Sequence, residues 1–155
     1  MKNKRLYREA LRIIGRRDFS EEEIREKLVS SFPPSEVEIL IEDFRGKGYL
    51  NDLTMAERIS ERLLNRHKGY YYIFSELKRR KIREDVLADM DNSFDYEREF
   101  VKAREFFGKN LGKKKPSSVF FSLRGRGFSS GTMERVASHY MDITKGRPIK
   151  WKADR

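Results

Sequence analysis

The sequence predicts an all-α protein made of three tandem three-helix repeats, an elongated array whose curvature the sequence leaves open. Three observations carry this. Apolar residues recur at helical spacing along the whole chain, and no stretch shows the strict alternation of a half-buried strand. An apolar pair at four-residue spacing occurs three times, as Ile24 and Leu28, Ile73 and Leu77, and Val119 and Leu123, at intervals of 49 and 46 residues. A large apolar residue follows each pair (Phe32, Ile82, Phe128), and Ala10, Ala56 and Ala103 precede the pairs by 14, 17 and 16 residues. Such recurrence is the signature of stacked modules, which offer an extended binding surface rather than one closed pocket. The predicted units cover 1–50, 51–93 and 94–143, with a basic tail over 144–155.

In the first unit, Leu6, Ala10, Leu11 and Ile14 mark one face of a helix that Gly15 ends. Ser20 with Glu23 forms a capping box, opening a helix that carries Ile24 and Leu28. Pro33-Pro34 breaks it. Ser35 with Glu38 reads as a second capping box, for a helix that buries Val37, Leu40, Ile41 and Phe44 and closes at Gly46 or Gly48.

The second unit repeats the order. Asn51 or Asp52 is the N-cap, Met55, Ile59 and Leu63 follow at four-residue spacing, and Gly69 separates this helix from one over Tyr70–Arg80. A short third helix carries Val86, Leu87 and Met90. The third unit begins near Asp95, with Phe100, Ala103 and Phe107 on one face and a basic loop from Gly108 to Pro116. Its next helix runs from about Ser117 to Arg124. Gly125 and Gly127 flank Arg126 in a turn, and Ser129 or Ser130 starts a last helix with Met133, Val136, Ala137 and Tyr140.

Hydrophobic residues make up 37% of the chain, too many for full disorder despite 39% charged residues. There is no cysteine, which removes disulfides, thiolate metal sites and a cysteine nucleophile. No apolar run approaches the roughly 20 residues of a membrane span, and the basic N-terminus leads into a charged amphipathic helix. A cytoplasmic protein without a membrane partner is expected. It is expected to be a monomer, since the repeat leaves no obvious exposed apolar stripe. The net charge of +10 is local: residues 1–101 hold 21 Lys+Arg and 21 Asp+Glu, whereas 102–155 hold 14 and 4. A polyanionic partner at that end follows.

Little in the sequence supports catalysis, and no cofactor, metal or catalytic residue is expected. His67 and His139 lie 72 residues apart without convergent ligands, and read as a helix-end and a surface histidine. Glu21-Glu22-Glu23 occupies a first turn, where it favours the helix dipole, and Asp89 and Asp91 sit at a helix end. Gly125-Arg126-Gly127 has no preceding strand and no third glycine, so it reads as a tight turn from which Arg124 and Arg126 project toward phosphate. Lys78-Arg79-Arg80-Lys81, with Arg83, exceeds what helix capping needs. Some of these cations should face outward and repel one another unless an anion is bound. A helix can bury only part of Tyr70-Tyr71-Tyr72, so at least one ring should be exposed near these cations. Trp151, between Lys150 and Lys152, stacks on a base or partner, or docks on the last helix.

These motifs resemble the RecX family, bacterial modulators of the RecA recombinase. The resemblance rests on Ala10-Leu11, Ser20 to Leu28, and Phe44-x3-Gly48-Tyr49-Leu50-Asn51-Asp52 followed by Met55-Ala56. Lys68-Gly69 with Ile73 and Glu76-Leu77, and Leu123-Arg124-Gly125-Arg126-Gly127-Phe128, complete it, covering about residues 5–142. Lys81 stands where the family often has glycine, and Ser31-Phe32-Pro33 where a basic-Gly-apolar turn is usual.

The resemblance implies a non-enzymatic modulator, mainly an inhibitor, in DNA repair, recombination and the SOS response. It would bind in the groove of the RecA filament on single-stranded DNA, suppress ATP hydrolysis and strand exchange, and have double-stranded DNA as a further ligand. The expected contact residues are Arg79, Arg80, Lys81, Lys113, Lys114, Lys115, Arg124 and Arg126. The alternative is a stand-alone helical DNA- or RNA-binding protein, with residues 70–90 and 117–141 as helix–turn–helix pairs. A nuclease is disfavoured by the lack of convergent carboxylates and histidines.

Overall fold

Three devices start the helices of this chain: local side-chain caps, prolines, and carboxylates that arrive from about thirty residues away. The computed structural model describes residues 3–143, with side chains through 140. The expectations for the tail, Trp151 included, lie outside the described residues. Among those residues the chain forms nine helices and no strand. They are α1 Lys4–Ile14, α2 Glu21–Val29, α3 Pro34–Gly46, α4 Asp52–Asn65, α5 Tyr70–Arg79, α6 Glu84–Asn92, α7 Tyr96–Asn110, α8 Pro116–Gly125 and α9 Ser130–Ile143. Packing divides the chain into two compact units, Met1–Ile59 with Glu76–Asn92, and Ser60–Ser75 with Ser93–Arg155.

Local caps form where a side-chain oxygen lies within reach of the first turn. Asn3 accepts from the Leu6 N–H and Asp95 from the Arg98 N–H. Asn51 accepts from Thr54, so it is the cap of α4. Ser20 and Glu23 close the capping box read from the sequence. The second predicted box, Ser35 with Glu38, does not form. Helix α3 starts two residues earlier than that box would place it, at Pro34, whose fixed φ suits a first helical position and whose missing N–H needs no cap. Ser35 therefore sits inside the first turn, and Glu38 pairs with Arg25 instead. Proline also opens α8, at Pro116.

In the first unit, Leu6, Ala10, Ile24, Leu28, Val37, Leu40, Ile41 and Phe44 are almost fully buried. Each large side chain among them contributes about 1.5–3 kcal/mol. The apolar face of α1 runs through Leu6, Ala10 and Ile13; Leu11, predicted to join it, is 48% exposed because it lies about 100° further round the helix than Ala10. In the second unit Ala103, Phe107, Val119, Phe120, Leu123, Phe128 and Val136 form the core. Beside it Tyr70 meets Phe74 at 4.5 Å and Phe94 at 5.1 Å between ring centroids, in the offset geometries aromatic rings prefer.

Two buried carboxylates organise helix starts at long range. Asp52, at the first position of α4, accepts from the Glu21 N–H at 3.0 Å and from the Arg83 N–H at 2.9 Å. Glu99, in the first turn of α7, accepts from the Tyr70 N–H at 2.7 Å and the Ser129 N–H at 3.1 Å. It also takes the hydroxyls of Ser129 and Thr132, both at 2.5 Å. Each link satisfies donors that a helix start otherwise leaves unpaired.

The turn before α5 crosses the turn before α9 with backbone against backbone. Gly69 N–H donates to the Arg126 carbonyl at 2.9 Å, and Tyr71 N–H to the Gly127 carbonyl at 2.8 Å. Gly127 has φ +85°, and a Cβ there would come within 2.5 Å of the Tyr72 nitrogen. The Gly-Arg-Gly turn predicted from sequence is thus a close crossing that only glycine permits.

Candidate nucleic-acid interface

The cations at the end of α5 and just beyond it were predicted to repel one another unless an anion bound. The structure bears this out for Lys78, which is exposed with no ion pair among the described residues, and corrects it for the other four, whose anions are the chain's own. Arg79 pairs with Glu76 within the helix. Arg80, with only 14% of its side chain exposed, donates to Glu23 at 3.0 Å and to the Asp18 carbonyl at 2.8 Å. Lys81 pairs with Glu26. Arg83 bridges Asp85 and the buried Glu21. Lys81 also adopts φ +58°, a left-handed conformation suited to the glycine the resemblance leads one to expect.

The acidic run Glu21-Glu22-Glu23 thus does more than favour a helix dipole. Burial alone would raise the Glu21 carboxyl, but Arg45 at 2.7 Å and Arg83 at 3.3 Å outweigh it and hold the group below its ordinary range. Glu23 is held down likewise by Arg80 and the Ser20 N–H against its own burial. Asp52 goes the other way. Burial pushes it up, and the neighbouring Glu21 charge adds to this, so its two N–H donors only partly compensate.

The second unit arranges its cations differently. Arg126 donates to the His67 and Arg66 carbonyls, both at 2.7 Å, and lies 4.7 Å from the Phe106 ring centre. It closes the end of α4, where helix carbonyls lack intrahelical donors. His67, at φ +59°, turns its ring to Glu105 at 3.2 Å. Arg124 is half-buried, and its Nη1 atom has no hydrogen-bond partner among the described residues. Lys113, Lys114 and Lys115 are exposed on the loop between α7 and α8, turned by Gly112 at φ +85°, and have no ion pair among the described residues.

Exposed aromatic rings accompany these groups. Tyr71 and Tyr72 are open to solvent, as the triple tyrosine predicted, and Lys68 lies 4.4 Å over the Tyr72 ring. Burial and the Arg126 charge lower the Lys68 pKa. Phe121, 71% exposed on α8, was not singled out from the sequence. Its position off the Val119, Phe120 and Leu123 face was the available signal. Of the eight predicted contact residues, Arg79, Arg80 and Lys81 lie together in the first unit, and Lys113, Lys114, Lys115, Arg124 and Arg126 belong to the second. Among the described residues no group of three or more His, Asp and Glu is placed to hold a metal, and no helix is long and apolar enough to cross a membrane.

No family model matches the chain. The regulatory protein RecX of Bacillus velezensis is 31% identical over 121 residues, 75% of this chain and 45% of that protein. The chain thus spans less than half the length of that relative. The RecX proteins of Ralstonia nicotianae and Syntrophotalea carbinolica are 26% and 27% identical, over 82% and 80% of this chain and 82% and 88% of their own lengths. The crystal structure of RecX from Lactobacillus salivarius superposes with a TM-score of 0.79 at 18% identity, over 90% of this chain and 96% of that one. A second crystal structure of a regulatory protein RecX gives 0.70 at 23%, over 86% and 72%. The all-helical fold is shared with both over the stretches superposed.

Proposed function

The chain belongs to the RecX family of regulatory proteins, and from that premise we propose that it modulates a RecA recombinase. As a monomer it binds in the groove of the recombinase filament on single-stranded DNA and suppresses ATP hydrolysis and strand exchange. The regulatory part rests on the kinship. The DNA part rests on one geometric observation: the Lys113–Lys115 loop presents three adjacent exposed cations with no internal carboxylate partner among the described residues. Such a group gains most from phosphate, because no existing pair must be broken. Arg124 belongs to the same expected set, but its unpartnered Nη1 is covered, so that donor meets phosphate only if the side chain moves outward. Arg79, Arg80, Lys81 and Arg126 reach a filament only by exchanging an internal partner, and Arg124 only by uncovering its Nη1, so the loop is the primary contact on this reading.

We also read the helices as three three-helix repeats, 1–50, 51–93 and 94–143. The support is that Asp52 and Glu99 both stand four residues before the recurring alanines, Ala56 and Ala103. Each caps the first residue of the preceding unit's second helix and the residue just before its own unit's third helix. The equivalent position in the first unit is Leu6, and the equivalent donor would be Pro33, which has no N–H to offer.

The test is ATP hydrolysis by the recombinase on single-stranded DNA, titrated with this protein with and without excess DNA. Inhibition at substoichiometric protein that survives excess DNA supports filament binding. Inhibition abolished by excess DNA leaves the stand-alone nucleic-acid-binding reading instead.

A further inference from the structure

Arg5, Arg8 and Arg12 stand at i, i+3 and i+7 on one side of α1. With Glu9, Ser31 and Phe32 they line a cleft of about 540 Å³, wholly within the first unit. Phe32 is nearly buried, and the Arg5 guanidinium lies 5.3 Å from its ring centre. Arg12 is paired with Glu9, whose charge Arg5 also feels, but neither Arg5 nor Arg8 forms an ion pair of its own among the described residues. This is an exception in a unit that matches Arg80, Lys81 and Arg83 with carboxylates. The even charge balance of residues 1–101 conceals it: residues 4–17 hold Lys4, Arg5, Arg8, Arg12, Arg16 and Arg17 against Glu9 alone.

We propose that this cleft is a second nucleic-acid contact, binding the phosphodiester backbone independently of the Lys113–Lys115 loop. A guanidinium presents a planar fork of donors that matches the oxygens of a phosphate, and it stays charged at any working pH. Arg5 and Arg8, joined by Arg12 once it releases Glu9, spread over about 10 Å of helix and match successive phosphates of a strand better than one small anion. The Arg5–Phe32 contact holds one fork in place before the ligand arrives, which lowers the ordering cost of binding. The Ser31 hydroxyl supplies a neutral donor at the rim. Because the contact needs no recombinase, it can fail while the regulatory reading stands, and the reverse.

The experiment uses the full chain with a labelled oligothymidylate and a labelled duplex, following anisotropy over a salt series. Arg8→Ala and the Arg5→Ala/Arg8→Ala pair are compared with the unsubstituted chain. Arg8 makes no side-chain pairing among the described residues, so the single variant tests the cleft without disturbing the fold. On the single strand, the log–log salt slope is expected to flatten by about 0.7 per lost phosphate contact, and on the duplex by about 0.9. Arg5→Lys/Arg8→Lys should restore the slope. Flattening on either probe supports the site, and shows which form of nucleic acid it takes. Unchanged slopes on both overturn it. So does a loss confined to competition by polyglutamate, which would make the cleft a site for acidic protein.

Discussion

Asp52 and Glu99 each tie two helix starts together through a single buried carboxylate. Asp52 reaches 31 residues back and 31 forward; Glu99 reaches 29 back and 30 forward. Asp52→Ala and Glu99→Ala should therefore each strand two backbone donors, at a cost of about 2–4 kcal/mol. Glu99→Ala should cost more, since it also abandons two hydroxyls. Denaturant midpoints at neutral pH check this, and a loss below about 0.5 kcal/mol in both would show that water replaces the carboxylates.

Acid should weaken the first unit through Glu21 and Glu23. Both are held below the ordinary carboxyl value of 4.5, so the unfolded chain takes up their protons first. The stability they supply is complete above 4.5 and is lost as pH falls through their lower folded values. Asp52, raised above 3.8, has the opposite sign: its share is present below 3.8 and lost as pH rises through its folded value. Unfolding measured across the acid range should show a flatter loss in Glu21→Gln and a steeper one in Asp52→Asn.

The crossing at Gly69 and Gly127 should tolerate no side chain. A methyl group at Gly69 meets the Phe128 nitrogen at 2.5 Å, and one at Gly127 meets the Tyr72 backbone as well as a positive φ. Each alanine substitution should cost about 2–4 kcal/mol. Gly125→Ala, with no atom within 4 Å of its added methyl, should be neutral or stabilising by up to about 1 kcal/mol. Equal effects at all three positions would remove the steric explanation.

Arg80 and the lysine loop should separate stability from binding. Arg80→Ala leaves Glu23 without its main partner in a largely covered site, costing about 1–3 kcal/mol, with the salt slope of DNA binding unchanged. Lys113→Ala/Lys114→Ala/Lys115→Ala should do the reverse, leaving thermal unfolding unaltered and flattening the single-strand slope by up to about 2. A flattened slope in the Arg80 variant would return that residue to the contact set.

Helices were legible because the periodicity of apolar residues is local, and so were caps such as Ser20 with Glu23, whose partners lie three residues apart. Asp52 was read only as a candidate N-cap and Glu99 was not singled out, because an acceptor about thirty residues from its donors leaves no local trace. Ser35 misled because a serine–glutamate spacing is uninformative when a proline already occupies the first helical position. The same division runs through the charges. The basic run at 78–83 was visible, but the carboxylates that pair with Arg79, Arg80, Lys81 and Arg83 come from α2 and from neighbours within the run's own helices. The lysine loop was easier to assess, since no acidic residue stands between Glu105 and Glu134.

The proline that opens α8 has a meaning for architecture beyond its own helix. On the repeat reading, each junction is a handshake: a carboxylate from one unit grips the first N–H of the second helix before it. Pro116 occupies that first place in the last unit and has no hand to offer. A further unit stacking by the same grammar would find nothing there to hold. Such a pairing thus turns on whether a single residue carries an N–H, and exchanging Pro116 for an amino acid that has one is the smallest edit that would restore the donor there.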